Sequence, residues 1–137
     1  MRFVVPLLAL SLLSCHESGT WIDDPHNFER AWGLPPPSGV RVLHSTYYRS
    51  AHFTREEIYY FEFAPSPSLA ESFASSNRLS AQPTTAITPY TFANPRPAWF
   101  APGSLEEYEI WSAGRDPAVV IMRNKTTAHT FVYACQL

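Results

Sequence analysis

Apolar and polar positions alternate with a period of two along most of this chain, and that period predicts strands. Val40, Val42, His44, Thr46 and Tyr48 alternate with Arg41, Leu43, Ser45, Tyr47 and Arg49, a β-branched and aromatic run. Residues 56–64 repeat the pattern, with Tyr59, Phe61 and Phe63 on one face and Ile58, Tyr60 and Glu62 on the other. The short stretch 50–54 between the two runs favours an antiparallel hairpin. Near the C-terminus the pattern predicts strands at Tyr108–Trp111, at the apolar run 118–123 and at 128–135. In the last of these His129, Phe131, Tyr133 and Cys135 alternate with Thr130, Val132 and Ala134. Gly114-Arg-Asp-Pro117 and Asn124-Lys-Thr-Thr127 read as the turns between them.

Helical spacing is confined to two places. Ser66-Pro67 resembles an N-cap followed by proline at the first helical position, and Ser68 with Glu71 fits a capping box. Leu69 and Phe73 then share a stripe flanked by Ala70 and Ala74, so a helix is expected to run to about residue 79. A shorter helical stretch is expected after Asp24-Pro25, with Phe28 and Trp32 on one face and Gly33 as its stop. Leu34-Pro-Pro-Pro37 forces an extended connector. Residues 80–103 hold five prolines and no period, an unusually long irregular segment for a compact domain. The expected fold is α+β and two-layered: an antiparallel sheet of about five strands in the order β-β-α-loop-β-β-β, with one main helix on one face.

The first fifteen residues follow a different logic. Arg2 precedes an apolar run from Phe3 to Leu13, which is shorter than the roughly 20 residues that a membrane-spanning helix requires. That is the layout of a secretory signal peptide. Leu12-Leu13-Ser14-Cys15 resembles the lipobox of bacterial lipoproteins: an aliphatic residue, a tolerant position, a small residue and cysteine. A conventional signal peptidase site fits less well, because a cut after Ser14 places Leu12, and a cut after Gly19 places Glu17, where a small residue is wanted. The resemblance implies removal of residues 1–14, lipidation of Cys15, a tether over 15–20 and a single domain over 21–137. Three acyl chains exceed what stable anchoring needs. His16 stands where this class often carries an aspartate that retains it in the inner membrane. The resemblance therefore implies an outer-membrane anchor facing the periplasm.

Composition narrows the partners. A formal net charge of −2, with Lys125 the only lysine, argues against nucleic acid and against a polybasic lipid-binding patch. Aromatics make up 15% of the chain, a supply suited both to filling a core and to forming a recognition face. Of two cysteines, Cys15 is claimed by the lipobox, which leaves Cys135 unpaired and expected to be buried. Without lipidation, a Cys15–Cys135 disulfide is the alternative.

Chemistry-bearing motifs are sparse. The chain holds five glycines and lacks a phosphate loop, a nucleophile elbow, C-x-x-C and H-E-x-x-H, so no cofactor is expected. His44, His52, Glu56 and Glu57 have the right donors for a transition metal, but a paired hairpin separates His44 from the others by roughly 26 Å. His129 and Cys135 share a strand face at roughly 20 Å, too far for a nucleophile and its base. Glu56-Glu57 and Glu106-Glu107 would each offer only one carboxylate to any one face. The segment Pro95-Arg-Pro-Ala-Trp-Phe-Ala-Pro102 is the candidate binding loop: prolines lower the cost of presenting Trp99 and Phe100, with Arg96 beside them.

The expectation is a small, non-catalytic, lipid-anchored envelope protein that binds another envelope or secreted protein, as inhibitor, immunity or accessory lipoproteins do. Its alternative is an envelope module that holds a small ligand or cell-wall fragment in an aromatic-lined groove between helix and sheet, with stacked Trp or Tyr faces and few arginines. A hydrolase is the second alternative.

Overall fold

The computed structural model describes residues 17–52, 54–113 and 118–136. The leader, Cys15, His16 and the expected turn 114–117 lie outside them. Seven strands form one wholly antiparallel sheet: β1 (Gly19–Ile22), β2 (Val42–Arg49), β3 (Glu57–Phe63), β4 (Ser80–Gln82), β5 (Tyr108–Ser112), β6 (Val119–Asn124) and β7 (Thr130–Gln136). Their spatial order is β1-β2-β3-β7-β6-β5-β4. The chain thus lays down one meander, crosses to the far edge, and returns in a second meander that closes against β3.

Two strands beyond the expected five are the short edges. β1 begins at Gly19, which pairs with Arg49, so the expected tether over 15–20 gives way to sheet at that residue. β4 pairs with β5 inside what reads as the proline-rich loop 80–103. Both are too short for a period-two signal to accumulate.

Two helices, α1 (Asn27–Trp32) and α2 (Leu69–Ser76), cover one face of the sheet. Phe28, Leu69, Ala70 and Ala74 are buried there against Tyr47, Tyr59, Phe61, Phe63, Ile121, Val132 and Ala134, with Trp32 and Phe73 packed alongside. Gly33 ends α1 in the left-handed region, its N–H reaching the Glu29 carbonyl, as its position in the sequence predicts. Asn27, fully buried, docks α1: its side-chain amide donates to the Trp21 carbonyl at 3.0 Å and to Ser45 Oγ at 3.0 Å. The Ser68–Glu71 capping box does not form, and Ser68 makes no side-chain cap. Glu71 pairs instead with Arg123, which also binds Glu109 and the Pro67 carbonyl and lies over Trp111.

The expected two layers are three. Residues 83–104 fold over the opposite face of the sheet and bury a second aromatic cluster: Tyr60, Phe92, Phe100, Tyr108, Ile110, Val120, Met122, Phe131 and Tyr133. That is why Tyr60, on the face away from the helices, is as buried as Tyr59. One phase shift also departs from the alternation. A bulge between Val42 and His44 turns Val42 to the helix side while His44, Thr46 and Tyr48 face the other way.

Candidate functional site

The loop-covered face holds the candidate binding loop and the exposed apolar side chains Ile22 and Tyr48. Its cover is pinned at one residue. The Tyr60 hydroxyl donates to the Ala93 carbonyl, and the Ala93 N–H donates to the Tyr133 hydroxyl at 3.2 Å. Burial pushes both phenols up, Tyr133 to about 12. They are therefore neutral hydrogen-bonding posts across the ordinary pH range.

The candidate binding loop divides between core and surface. Phe100 is fully buried, with its ring 4.9 Å from Tyr60 and 5.3 Å from both Phe92 and Phe131. The expectation that it stands in an exposed recognition loop is corrected: the apolar face of β3, β7 and β6 needs a lid, and Phe100 is the centre of that lid. Trp99 is half-buried and stacked on His44 at 5.4 Å. Arg96 is exposed, its guanidinium 5.8 Å from the Phe92 ring centre. Cys15 lies outside the described residues.

The histidines and carboxylates are dispersed. His44 Nδ1 lies 3.4 Å from the Asp23 carboxylate, and His129 Nδ1 lies 3.3 Å from Glu62. His44 sits opposite Glu62 in the hairpin, whereas Glu57 sits opposite Arg49 at its other end. Among the described residues no three metal-ligating side chains gather. Glu57 faces the helices and accepts from Arg49 Nε at 3.0 Å and Arg55 Nε at 2.7 Å. Burial acts to raise its carboxyl, but the Tyr47 hydroxyl and the two guanidinium groups outweigh this and hold it below the ordinary value. Cys135, expected to be buried, is half-buried on the loop side opposite Ile58.

No protein-family model, characterised protein or solved structure matches this chain.

What remains is a groove that sequence reasoning missed. The loop covers the sheet from β5 to β3 and reaches β2 at His44 through Trp99, but toward the other end of the hairpin its edge is at Pro95, leaving the face open around Thr20, Tyr48 and Ile58. The resulting cleft of about 420 Å³ is walled by Tyr48, Ile58, Tyr60 and Pro95, with Thr20, Thr46 and Asn94 supplying polar atoms and Glu56 the one charge. Its lining contains no arginine or lysine. Beside it, on the same face, Ile22 is 70% exposed. The signal for this site lies in the strand alternation. Ser45 and Tyr47 belong to the helix side, so Thr46 and Tyr48 must face away from it. Only the extent of the lid, which has no period, decides that they stay uncovered.

Proposed function

We propose that this protein is a lipid-anchored binding module of the bacterial envelope, and that it holds a ligand in the groove between Tyr48, Ile58, Tyr60 and Pro95. The anchor rests on the lipobox resemblance at Cys15. The binding reading rests on one observation, an open, mainly apolar groove walled by Tyr48, Ile58 and Pro95 over the buried Tyr60, with no basic residue among the described residues of its lining. That shape favours the small-ligand alternative over a flat aromatic–arginine patch for a protein partner, although the groove lies on the face opposite the helices and not between helix and sheet as that alternative expects. Phe100 is committed to the core, and Trp99 is committed to His44. Several groups that catalysis could recruit are already engaged: His44 with Asp23, His129 with Glu62, and Tyr60 and Tyr133 with Ala93.

The test compares small molecules released on denaturation from protein purified out of gently solubilised envelopes. Wild type should carry a component, identified by mass spectrometry, that Thr46→Trp and Ile58→Glu lose and Trp99→Ala keeps. Equal profiles for wild type and both groove variants would sink the reading. The anchor is tested separately: intact mass should place the N-terminus at an acylated Cys15, and Cys15→Ser should abolish acylation.

A further inference from the structure

We infer that the groove takes an acyl chain of an amine-headed membrane lipid, drawn from the bilayer that holds the anchor; this deepens the ligand-binding reading and rests on it. The first support is reach. Cys15 to Ser18 are the only residues between the acylated position and the start of β1 at Gly19, and four residues extend at most about 14 Å. Gly19 pairs with Arg49, at the end of the hairpin where Glu57 begins β3. Thr20, Tyr48, Glu56 and Ile58 line the groove at that same end of the sheet. The tether thus holds the groove beside the headgroups rather than out in solution.

The second support is the wall chemistry. Tyr48, Ile58 and Pro95 present apolar surface to a chain, the buried Tyr60 forms its base, and exposed Ile22 beside them extends it toward the sheet edge. Tyrosine suits the interface between hydrocarbon and water, where its ring is buried and its hydroxyl stays wet. The hydroxyls of Thr20 and Thr46 can donate to ester carbonyls.

The third support is charge. Glu56 is the one charged side chain of the lining, and its carboxylate makes no ion pair or hydrogen bond among the described residues. Its neighbour Glu57, on the opposite face, is taken by Arg49 and Arg55. A carboxylate left open at the rim of an apolar groove selects an ammonium head and repels an anionic one, and the Tyr48 ring adds a cation-attracting face.

The experiment uses the full-length lipidated protein in nanodiscs of equimolar phosphatidylethanolamine and phosphatidylglycerol with identical acyl chains. Native mass spectrometry reads the lipid retained per protein. Wild type should keep one phosphatidylethanolamine in preference to phosphatidylglycerol by about tenfold, the scale of one charge-assisted contact. Glu56→Gln should equalise the two lipids, while Thr46→Trp and Ile58→Glu should each remove both. Thermal unfolding of every variant identifies any that has lost its fold, and Thr46→Trp deletes no side chain that the core uses. Equal retention of the two lipids by wild type, unchanged by Glu56→Gln, overturns the inference. If neither lipid is retained but envelope-purified protein carries another compound that Thr46→Trp loses, the ligand-binding reading stands and the lipid assignment falls. If neither lipid nor any other compound depends on the groove, both fall.

Discussion

Phe100 and Trp99 are adjacent in the chain and differ in what they do, and single substitutions separate them. Phe100→Ala empties the centre of the second aromatic cluster and should cost about 3–5 kcal/mol in urea unfolding. Trp99→Ala removes one half-buried stack on His44 and should cost about 1–2 kcal/mol. Equal costs would mean that the lid is not organised around Phe100. The buried phenols make a second residue-scale prediction. Burial raises Tyr59 and Tyr133 to about 12 from an ordinary value of 10.0, so the fold holds them neutral. The stability this supplies is complete below the unfolded value and is lost as pH climbs through the folded one. The urea midpoint should therefore fall steeply between about pH 10 and pH 12, with tyrosinate absorbance appearing in step with unfolding. Tyrosinate appearing in full before unfolding would contradict the burial. Aromatic content alone could not assign these roles, because a core phenylalanine and a surface tryptophan look alike in composition.

At the scale of elements, the sequence was legible where a period had room to repeat. β2, β3, β6 and β7 fall within a few residues of their expected ranges, and Phe61 and Phe63 face the helices as the alternation requires. β1 and β4, of four and three residues, are recognisable only through their partners, Tyr48 across from Thr20 and Trp111 across from Ala81. The bulge beside Val42 breaks phase where the residue types give no warning. Helix α2 shows how a local signal can be overruled. Ser68 and Glu71 are spaced for a capping box, but Glu71 reaches across to Arg123 on β6. Ser68→Ala should accordingly change stability by less than about 0.5 kcal/mol, in contrast to the roughly 1 kcal/mol of a working cap. Arg123→Ala loses two carboxylates, a carbonyl and the face of Trp111, and should cost about 1–2 kcal/mol. The reverse ranking, read by thermal unfolding, would restore the capping box.

At the scale of the whole molecule, a lid of irregular chain replaces what a second sheet or further helices do elsewhere. Its outline, and hence the groove at its margin, depends on long-range contacts such as Ala93 between Tyr60 and Tyr133, which no local pattern encodes. Glu56 illustrates the point: strand alternation already sends it and Glu57 to opposite faces, and only the edge of the lid decides that its face holds an open groove. The strand order carries a consequence for how the chain comes to be. β7, the last strand in sequence, lies between β3 and β6 and joins the two meanders. Neither meander completes its pairing, and the lid lacks Phe131 and Tyr133 to pack on, until β7 is in place. A chain lacking Thr130–Gln136 would lose both flanking pairings at once, leaving β3 and β6 as two open edges exposed to strand addition.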